Sequence, residues 1–399
     1  MAKQRTSPFP SASRVRRAGV LAGALAALLA ATLSPGSARA ALPDQGLYEQ
    51  CAPSWTHLDC NQRLQTMGAA GFRYVLNYTA WRGTAAQVRR YADQAAAAGL
   101  KVIWPLNHPA WRDGTDLKSQ YPDLAQDCST CTNGQFKQYA IGLVKNHPAT
   151  WGFYIGDEVL PTASNVTQVA ALAQEVKLIA PNKPTLYVTM DFGGGMDKYL
   201  DPFAPLADVA GGDYYPVGSQ APNLGGVAPF ARDTRRIATR HGKQAALVLQ
   251  AFSWSQYIPE RAPRFPTGTE MRTMRDDAIR HGDPNFLLWY SYNDLFDYPN
   301  AEAHWKDLRA AAFAPHIRLN RLPRRCAGSR VKFGVDVRTA APIRKVRIKV
   351  GRKLVRKTSR TRFKVRASGL RKGRTKIRAV AIDKTGNRSR YAVKVKRCK

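Results

Sequence analysis

Trp151-Gly-Phe-Tyr-Ile-Gly-Asp-Glu158 is a short apolar run closed by two adjacent carboxyl groups. It reads as a buried strand delivering acids to its C-terminal end, the end at which a parallel barrel places its chemistry. Working outward, the same unit recurs from Gly46 to Phe313: a short β-branched or aromatic run, a polar loop, then an Ala-rich amphipathic stretch. Eight such units are expected, with strands at 46–49, 74–77, 102–106, 152–155, 186–189, 209–213, 246–249 and 286–289. Helices are expected near 56–69, 84–98, 134–146, 164–179, 197–206, 227–241, 269–281 and 301–312. Gly71, Gly99, Gly242 and Gly282 follow helical stretches, as left-handed C-caps require. Eight units in about 270 residues imply an α/β fold of the closed (β/α)8 TIM barrel type rather than an open doubly wound sheet. No glycine-rich phosphate loop joins a strand to a helix, which leaves nucleotide chemistry without a motif.

The residues just past each strand are rich in acids, amides and rings: Glu49, Asn77, Trp81, Asn107, His108, Trp111, Asp157, Glu158, Asp191, Asp213, Tyr214, Tyr215, Gln250, Trp254 and Tyr292. Carboxyl groups move protons, amides bond hydroxyls and flat rings stack on pyranose faces, which together suit cleavage of a glycosidic bond. Trp289, at the end of the eighth strand, is expected either to pack or to floor the cleft. The histidines show no metal-ligand spacing, so no metal or other cofactor is expected.

At this point the chain resembles the clan A type of (β/α)8 glycoside hydrolases. Ile155-Gly-Asp-Glu158 stands where that superfamily ends its fourth strand in a carboxamide–Glu pair, with Asp157 in place of the usual Asn. Tyr154-Ile-Gly-Asp-Glu158, Asp213-Tyr-Tyr-Pro216 and Gln250-Ala-Phe-Ser-Trp254 look like uncharacterised exported bacterial members. The resemblance, over residues 44–314, implies that Glu158 is the general acid/base. It also implies a nucleophilic Glu at the end of the seventh strand, where this chain has Gln250. Gln cannot serve, so Asp213 is the expected second carboxylate, with Asp191 and Glu49 as runners-up and Asp157 as a helper that binds a sugar hydroxyl or braces a neighbour. A partner on a non-adjacent strand suggests the wider carboxyl spacing of an inverting enzyme. The remaining strand-end residues are expected to bind substrate.

Residues 1–40 read as a signal peptide: Arg14, Arg16 and Arg17 precede an apolar run from Ala18 to Leu33, and Ala38-Arg39-Ala40 offers a cleavage site. Export would allow disulfides, and the six cysteines fall into Cys51 with Cys60, Cys128 with Cys131, and Cys326 with Cys398. The barrel is then expected over 41–320. Of the net charge of +34, residues 321–399 carry 30 Lys and Arg against 2 acids. This stretch alternates, as in Val346-Arg-Ile-Lys-Val350 and Lys376-Ile-Arg-Ala-Val380, with Val and Ile inward and cations outward. A small all-β sandwich is expected, similar to the bacterial immunoglobulin-like domains appended to exported enzymes. Its partner would be an anionic cell-wall polymer or acidic polysaccharide, because no stacking aromatics accompany the charge as nucleic acid would require. The expectation is therefore a secreted, monomeric glycoside hydrolase acting on a carbohydrate, without a membrane span once the signal is removed. A non-catalytic carbohydrate-binding barrel and a wall-associated adhesion protein are the alternatives.

Overall fold

The computed structural model describes residues 41–218, 223–258, 264–323, 326–368, 370 and 373–398. The signal sequence expected at 1–40 lies outside them. None of the described helices is long and apolar enough to cross a membrane.

Eight parallel strands close in chain order, with β1 (Asp44–Glu49) pairing both β2 (Tyr74–Asn77) and β8 (Phe286–Tyr290). Between them run β3 (Lys101–Pro105), β4 (Thr150–Asp157), β5 (Thr185–Thr189), β6 (Val209–Tyr214) and β7 (Gln244–Gln250). Strand parity sorts every side chain. Tyr48, Leu76, Ile103, Tyr154, Val188, Val248 and Leu288 fill the barrel interior, whereas Leu47, Val75, Trp104, Phe153, Leu249 and Trp289 pack outward against the helices. Both faces of each strand are therefore buried, which is why the strands read as near-continuous apolar runs.

The helices start where capping chemistry directs. Thr84, Thr132 and Thr267 each accept from the N3 backbone while Gln87, Gln135 and Glu270 reach back to the cap. Gly71, Gly99 and Gly242 take positive φ as expected, but Gly282 does not. There the helix ends in a π turn over Ala278–Gly282, and Asp283 adopts the left-handed conformation at φ 42°. The helix expected over 197–206 is instead two short pieces, Met196–Tyr199 and Ala204–Leu206.

The C-terminal module is an antiparallel β sandwich. One sheet has the order β13 (Arg362–Ser368), β10 (Arg330–Arg338), β9 (His316–Asn320); the other has β12 (Lys353–Thr358), β11 (Ile343–Val350), β14 (Arg374–Asp383), β15 (Arg388–Lys396). Since β9 pairs with β10 from His316↔Arg338 to Asn320↔Gly334, the sandwich begins ahead of the charge step at Arg321. The boundary expected at 320/321 moves to the end of the last barrel helix, Ala301–Phe313. Arg275 holds this junction: fully buried, it donates to the carbonyls of Ala311, Ala312 and Ala314, capping that helix, and pairs with Asp276, which also meets His316 Nδ1 at 3.0 Å. The three expected disulfides are formed.

Candidate active site

The last residues of β4 and β6 deliver three carboxyl groups into one cleft of about 310 Å³, walled by Tyr48, Tyr78, Tyr215, Phe252, Trp254, Tyr257 and Tyr290. Asp157 ends β4, and Glu158 follows at φ 50°, a left-handed conformation that costs a side-chain-bearing residue about 1–3 kcal/mol. The Glu158 N–H still bonds the Val188 carbonyl at 2.9 Å. Strand alternation alone would send Asp157 and Glu158 to opposite faces. The turn at Glu158 overrides it, and both line the cleft.

Asp157 is held from three sides. Its Oδ1 accepts from the Tyr154 hydroxyl at 2.6 Å; its Oδ2 accepts from the Tyr78 hydroxyl at 2.7 Å and from Asn107 Nδ2 at 3.4 Å. Burial first, with the neighbouring Glu158, outweighs the opposing pull of these hydrogen bonds and leaves the carboxyl raised to about 6. Asp213 is nearly inaccessible at 3 % exposure, and its Oδ1 is buried without a partner. Burial first, then the neighbouring Glu158 carboxyl, drives its proton affinity well above the ordinary carboxylate range. Burial and a neighbouring carboxyl group both disfavour the ionised form of Asp213. Tyr48, Tyr78 and Tyr215, raised by burial first, remain protonated donors.

The aromatic wall is continuous: ring centroids lie 5.2 Å apart for Tyr48–Tyr290, 5.1 Å for Tyr215–Phe252 and 5.1 Å for Phe252–Trp254. Trp254 reaches its place only because residue 218 is glycine; a Cβ there would fall 1.5 Å from Trp254 Cδ1.

Of the residues read from the sequence, Asp157, Glu158, Asp213, Tyr215 and Trp254 meet in this cleft. Asn107 and His108 line a neighbouring cavity. The others do not reach it. Gln250 is fully buried and spent on backbone: it accepts from Val217 N–H at 2.8 Å and donates to the carbonyls of Val217 and Phe252, clamping the loop after β6. Asn77 similarly bonds Cys51 and Thr79. Trp81, Trp111 and Trp289 are buried with their Nε1–H groups on Pro105 O, Tyr121 Oη and Gln45 Oε1, so none offers a face to a sugar. Tyr214 packs outward on Phe230, and Tyr292 lies under the Arg63 guanidinium. Asp191 is exposed and caps Gly193 and Gly195 in its own loop, while Glu49 is buried against Arg63, which removes both runners-up.

Tyr78, which follows Asn77 at the end of β2, is among the rings the strand ends present, whereas sequence reading missed Tyr48, Tyr154, Phe252, Tyr257 and Tyr290 as lining the cleft or holding its carboxyl groups. The signal was parity: Tyr48, one residue inside the end of β1, and Tyr290, the last residue of β8, share the interior face.

Among the described residues no group of His, Cys, Asp and Glu could hold a metal ion. No protein-family model matches the chain, and a search of curated proteins finds no match. Solved structures similar to it include an endo-β-1,4-mannanase from Thermotoga petrophila, with TM-score 0.48 and 11 % identity over 90 % of this chain and 98 % of that one. A glycosyl hydrolase family 2 member from Bacteroides cellulosilyticus has TM-score 0.42 and 12 % identity over 90 % and 46 %. A β-galactosidase from Marinomonas ef1 has TM-score 0.45 and 13 % identity over 62 % and 53 %. The chain thus spans nearly all of the first and about half of the other two. Likeness of this degree carries no information on reaction or substrate. What the fold and cleft define is a (β/α)8 barrel with a carboxylate-bearing aromatic cleft at the C-terminal ends of its strands.

One consequence concerns pH. Asp157 has a folded-state pKa of about 6 against about 3.9 unfolded, so its contribution to stability is complete below the unfolded value and lost as pH rises through about 6. The ionised form costs about 3 kcal/mol. Asp157→Asn is expected to be more stable than wild type at pH 7.5 by about 1–3 kcal/mol and to match it near pH 4. Urea unfolding at the two pH values decides this; an equal difference at both removes the link to titration.

Proposed function

We propose that the protein is a glycoside hydrolase. The observation that carries this is the meeting of Asp157, Glu158 and Asp213 in one aromatic cleft, where burial raises Asp157 to about 6 and Asp213 well above the ordinary carboxylate range, the setting in which carboxyl groups take separate acid and base roles. Glu158 donates a proton to the leaving oxygen. Asp213, protonated and in contact with it, is a positioning residue that keeps a proton available to Glu158. Asp157, held by Tyr78, Tyr154 and Asn107, is the ionised carboxylate that faces the positive charge developing on the sugar. The tyrosine, phenylalanine and tryptophan rings supply faces for pyranose stacking.

A non-catalytic carbohydrate-binding barrel is the second reading. It is favoured by Gln250, which occupies the place of the resembled family's nucleophile and is locked into the backbone. A panel of α- and β-linked oligosaccharides assayed for reducing-end release separates the two. Cleavage of any member supports the hydrolase, and binding without cleavage supports the second reading.

We also propose that the chain is exported and that its sandwich, which we take to be immunoglobulin-like, anchors it to an anionic wall polymer or acidic polysaccharide. On the β12-β11-β14-β15 sheet cations stand directly opposite cations: Arg347↔Lys357, Lys349↔Arg378, Lys376↔Lys394 and Arg374↔Lys396. Like charges so placed repel, and the module's two acids do not relieve them. Asp383 is spent on its own turn, bonding Thr385 and Asn387, and Asp336 lies 3.9 Å from Arg362 on the other sheet. Phe333 and Phe363 are buried and the half-buried Tyr391 lies under the Arg280 guanidinium, so among the module's described residues no fully exposed ring awaits a nucleobase. Retention on a polyanionic matrix such as dextran sulfate is expected to fall at least about tenfold between 0.05 and 0.5 M NaCl. The double variant Lys349→Glu, Arg378→Glu should elute markedly earlier at low salt. Retention insensitive to both changes would remove this face as the anchor.

A further inference from the structure

Next to the carboxylate cleft, and sharing Tyr78 and Asp157 with it, lies a second cavity of about 370 Å³ that is also lined by Arg82, His108, Arg112 and Gln120. Its size falls in the range of small-ligand sites. The short turn Pro109–Trp111 after β3 fixes its wall: Trp111 is buried with its Nε1–H on Tyr121 Oη at 3.1 Å, and the Arg112 N–H bonds the Pro109 carbonyl at 2.7 Å. Arg112 is therefore carried on a rigid element. Its Nε and Nη1 atoms are nevertheless buried with no hydrogen-bond partner.

A guanidinium stays charged, and leaving its N–H groups out of water and unpaired is costly. Burial is the main cause that depresses the proton affinity of Arg112; Tyr187, Asp113 and Asp157 oppose it through space, but none of them bonds its Nε or Nη1. Asp113 Oδ1 accepts the Thr115 N–H at 3.0 Å. Asp157 is already engaged by Tyr78, Tyr154 and Asn107. His108 is pushed down by burial, accepts the Ala110 N–H on Nδ1, and brings no competing charge. Arg82 adds a second, exposed cation at the rim. A cavity with unpaired guanidinium N–H groups and a second cation at its rim, beside a sugar cleft, has donors placed for an anion.

We propose that this cavity is a subsite for an acidic sugar unit, a hexuronate whose carboxylate pairs with Arg112, adjoining the sugar whose glycosidic bond lies among Asp157, Glu158 and Asp213. The inference rests on the carbohydrate reading of the cleft. It names acidic polysaccharide as the substrate class, chosen because a planar carboxylate matches a guanidinium fork.

The test is calorimetric binding to the full chain carrying Glu158→Gln, so that nothing is consumed, at 0.15 M NaCl. The probes are galacturonate and glucuronate-containing trisaccharides, their carboxyl-reduced counterparts and a sulfated trisaccharide. At least one uronate is expected to bind about tenfold tighter than its reduced form. Arg112→Gln should abolish that ratio and leave the affinity of the reduced sugar unchanged, while Arg112→Lys should restore part of it. Removal of an unpaired buried charge should also leave the thermal midpoint of Arg112→Gln unchanged or higher; if that variant fails to fold, Arg112→Lys carries the comparison.

An acid preference that survives Arg112→Gln overturns the proposal, because the carboxylate is then answered by another cation, Arg82 or those of the basic sandwich. Equal weakening of acidic and reduced sugars overturns it by making Arg112 purely structural. Tighter binding of the sulfated sugar overturns the choice of carboxylate. Failure of the hydrolase reading shows separately, as uronate binding without cleavage by the chain that retains Glu158.

Discussion

Glu158→Gln is expected to reduce turnover of any cleaved glycan by about 10²–10⁴-fold, the range over which a positioned general acid acts, while the protein remains folded. The isosteric amide keeps the backbone and the contact with Asp213, whose proton can pass into a hydrogen bond with the new carbonyl oxygen. What is lost is the proton for the leaving oxygen. The loss should accordingly depend on the leaving group: a nitrophenyl glycoside, whose phenolate departs without protonation, should lose far less than the natural linkage. Asp157→Asn provides the contrast. It removes the charge facing the developing oxocarbenium ion and should slow both substrates alike, and with it the limb of the kcat/KM profile near pH 6 should disappear. If Asp157→Asn rather than Glu158→Gln shows the leaving-group dependence, the two roles must be exchanged.

The contrast between these two residues also marks where the sequence stopped being legible. The eight barrel strands could be read because burial on both faces writes each as an apolar run, and the observed limits differ from the expected ones mainly by extension, as in β4. The site was harder, because membership depends on parity rather than on proximity to a strand end. Trp289 and Tyr290 are neighbours, yet the first packs outward on Gln45 and the second lines the cleft. Trp81 and Trp111 follow strands as sugar-stacking residues would, but their loops fold them back against Trp104 and Tyr121. Gln250 has the right chemistry for a hydroxyl and the right place, and only its three backbone bonds reveal a clamp. Conversely, alternation would have separated Asp157 from Glu158; the left-handed backbone at Glu158 that unites them has no signature in residue type. In the sandwich, β9 escaped notice because His316-Ile-Arg-Leu-Asn320 precedes the charge step that was used to set the boundary.

Replacing Cys326 and Cys398 by serine is expected to destabilise the sandwich by about 4 kcal/mol, since the bond closes a separation of 72 residues and the loss of chain entropy on opening it is correspondingly large. The bond sits at a seam: Cys398 N–H bonds the Ala327 carbonyl at 2.7 Å, Ala327 N–H bonds the Lys396 carbonyl at 2.8 Å, and Arg397 N–H bonds the Gly373 carbonyl at 2.8 Å. The module's apolar core is small, and the opposed cations of its four-stranded sheet push its strands apart. The effect should therefore be greatest at low ionic strength and partly recovered by salt, which screens that repulsion. In urea, which unlike guanidinium adds no salt, the variant should show an early transition whose midpoint rises with NaCl, and a later transition from the barrel. The barrel transition should move little, because its own bonds Cys51–Cys60 and Cys128–Cys131 are intact. A variant that unfolds in one step with the barrel would mean that the junction built on Arg275, Asp276 and His316 couples the two parts more strongly than the disulfide holds the module. A midpoint indifferent to salt would mean that the facing cations cost the fold little, and their number would then need no partner to answer it.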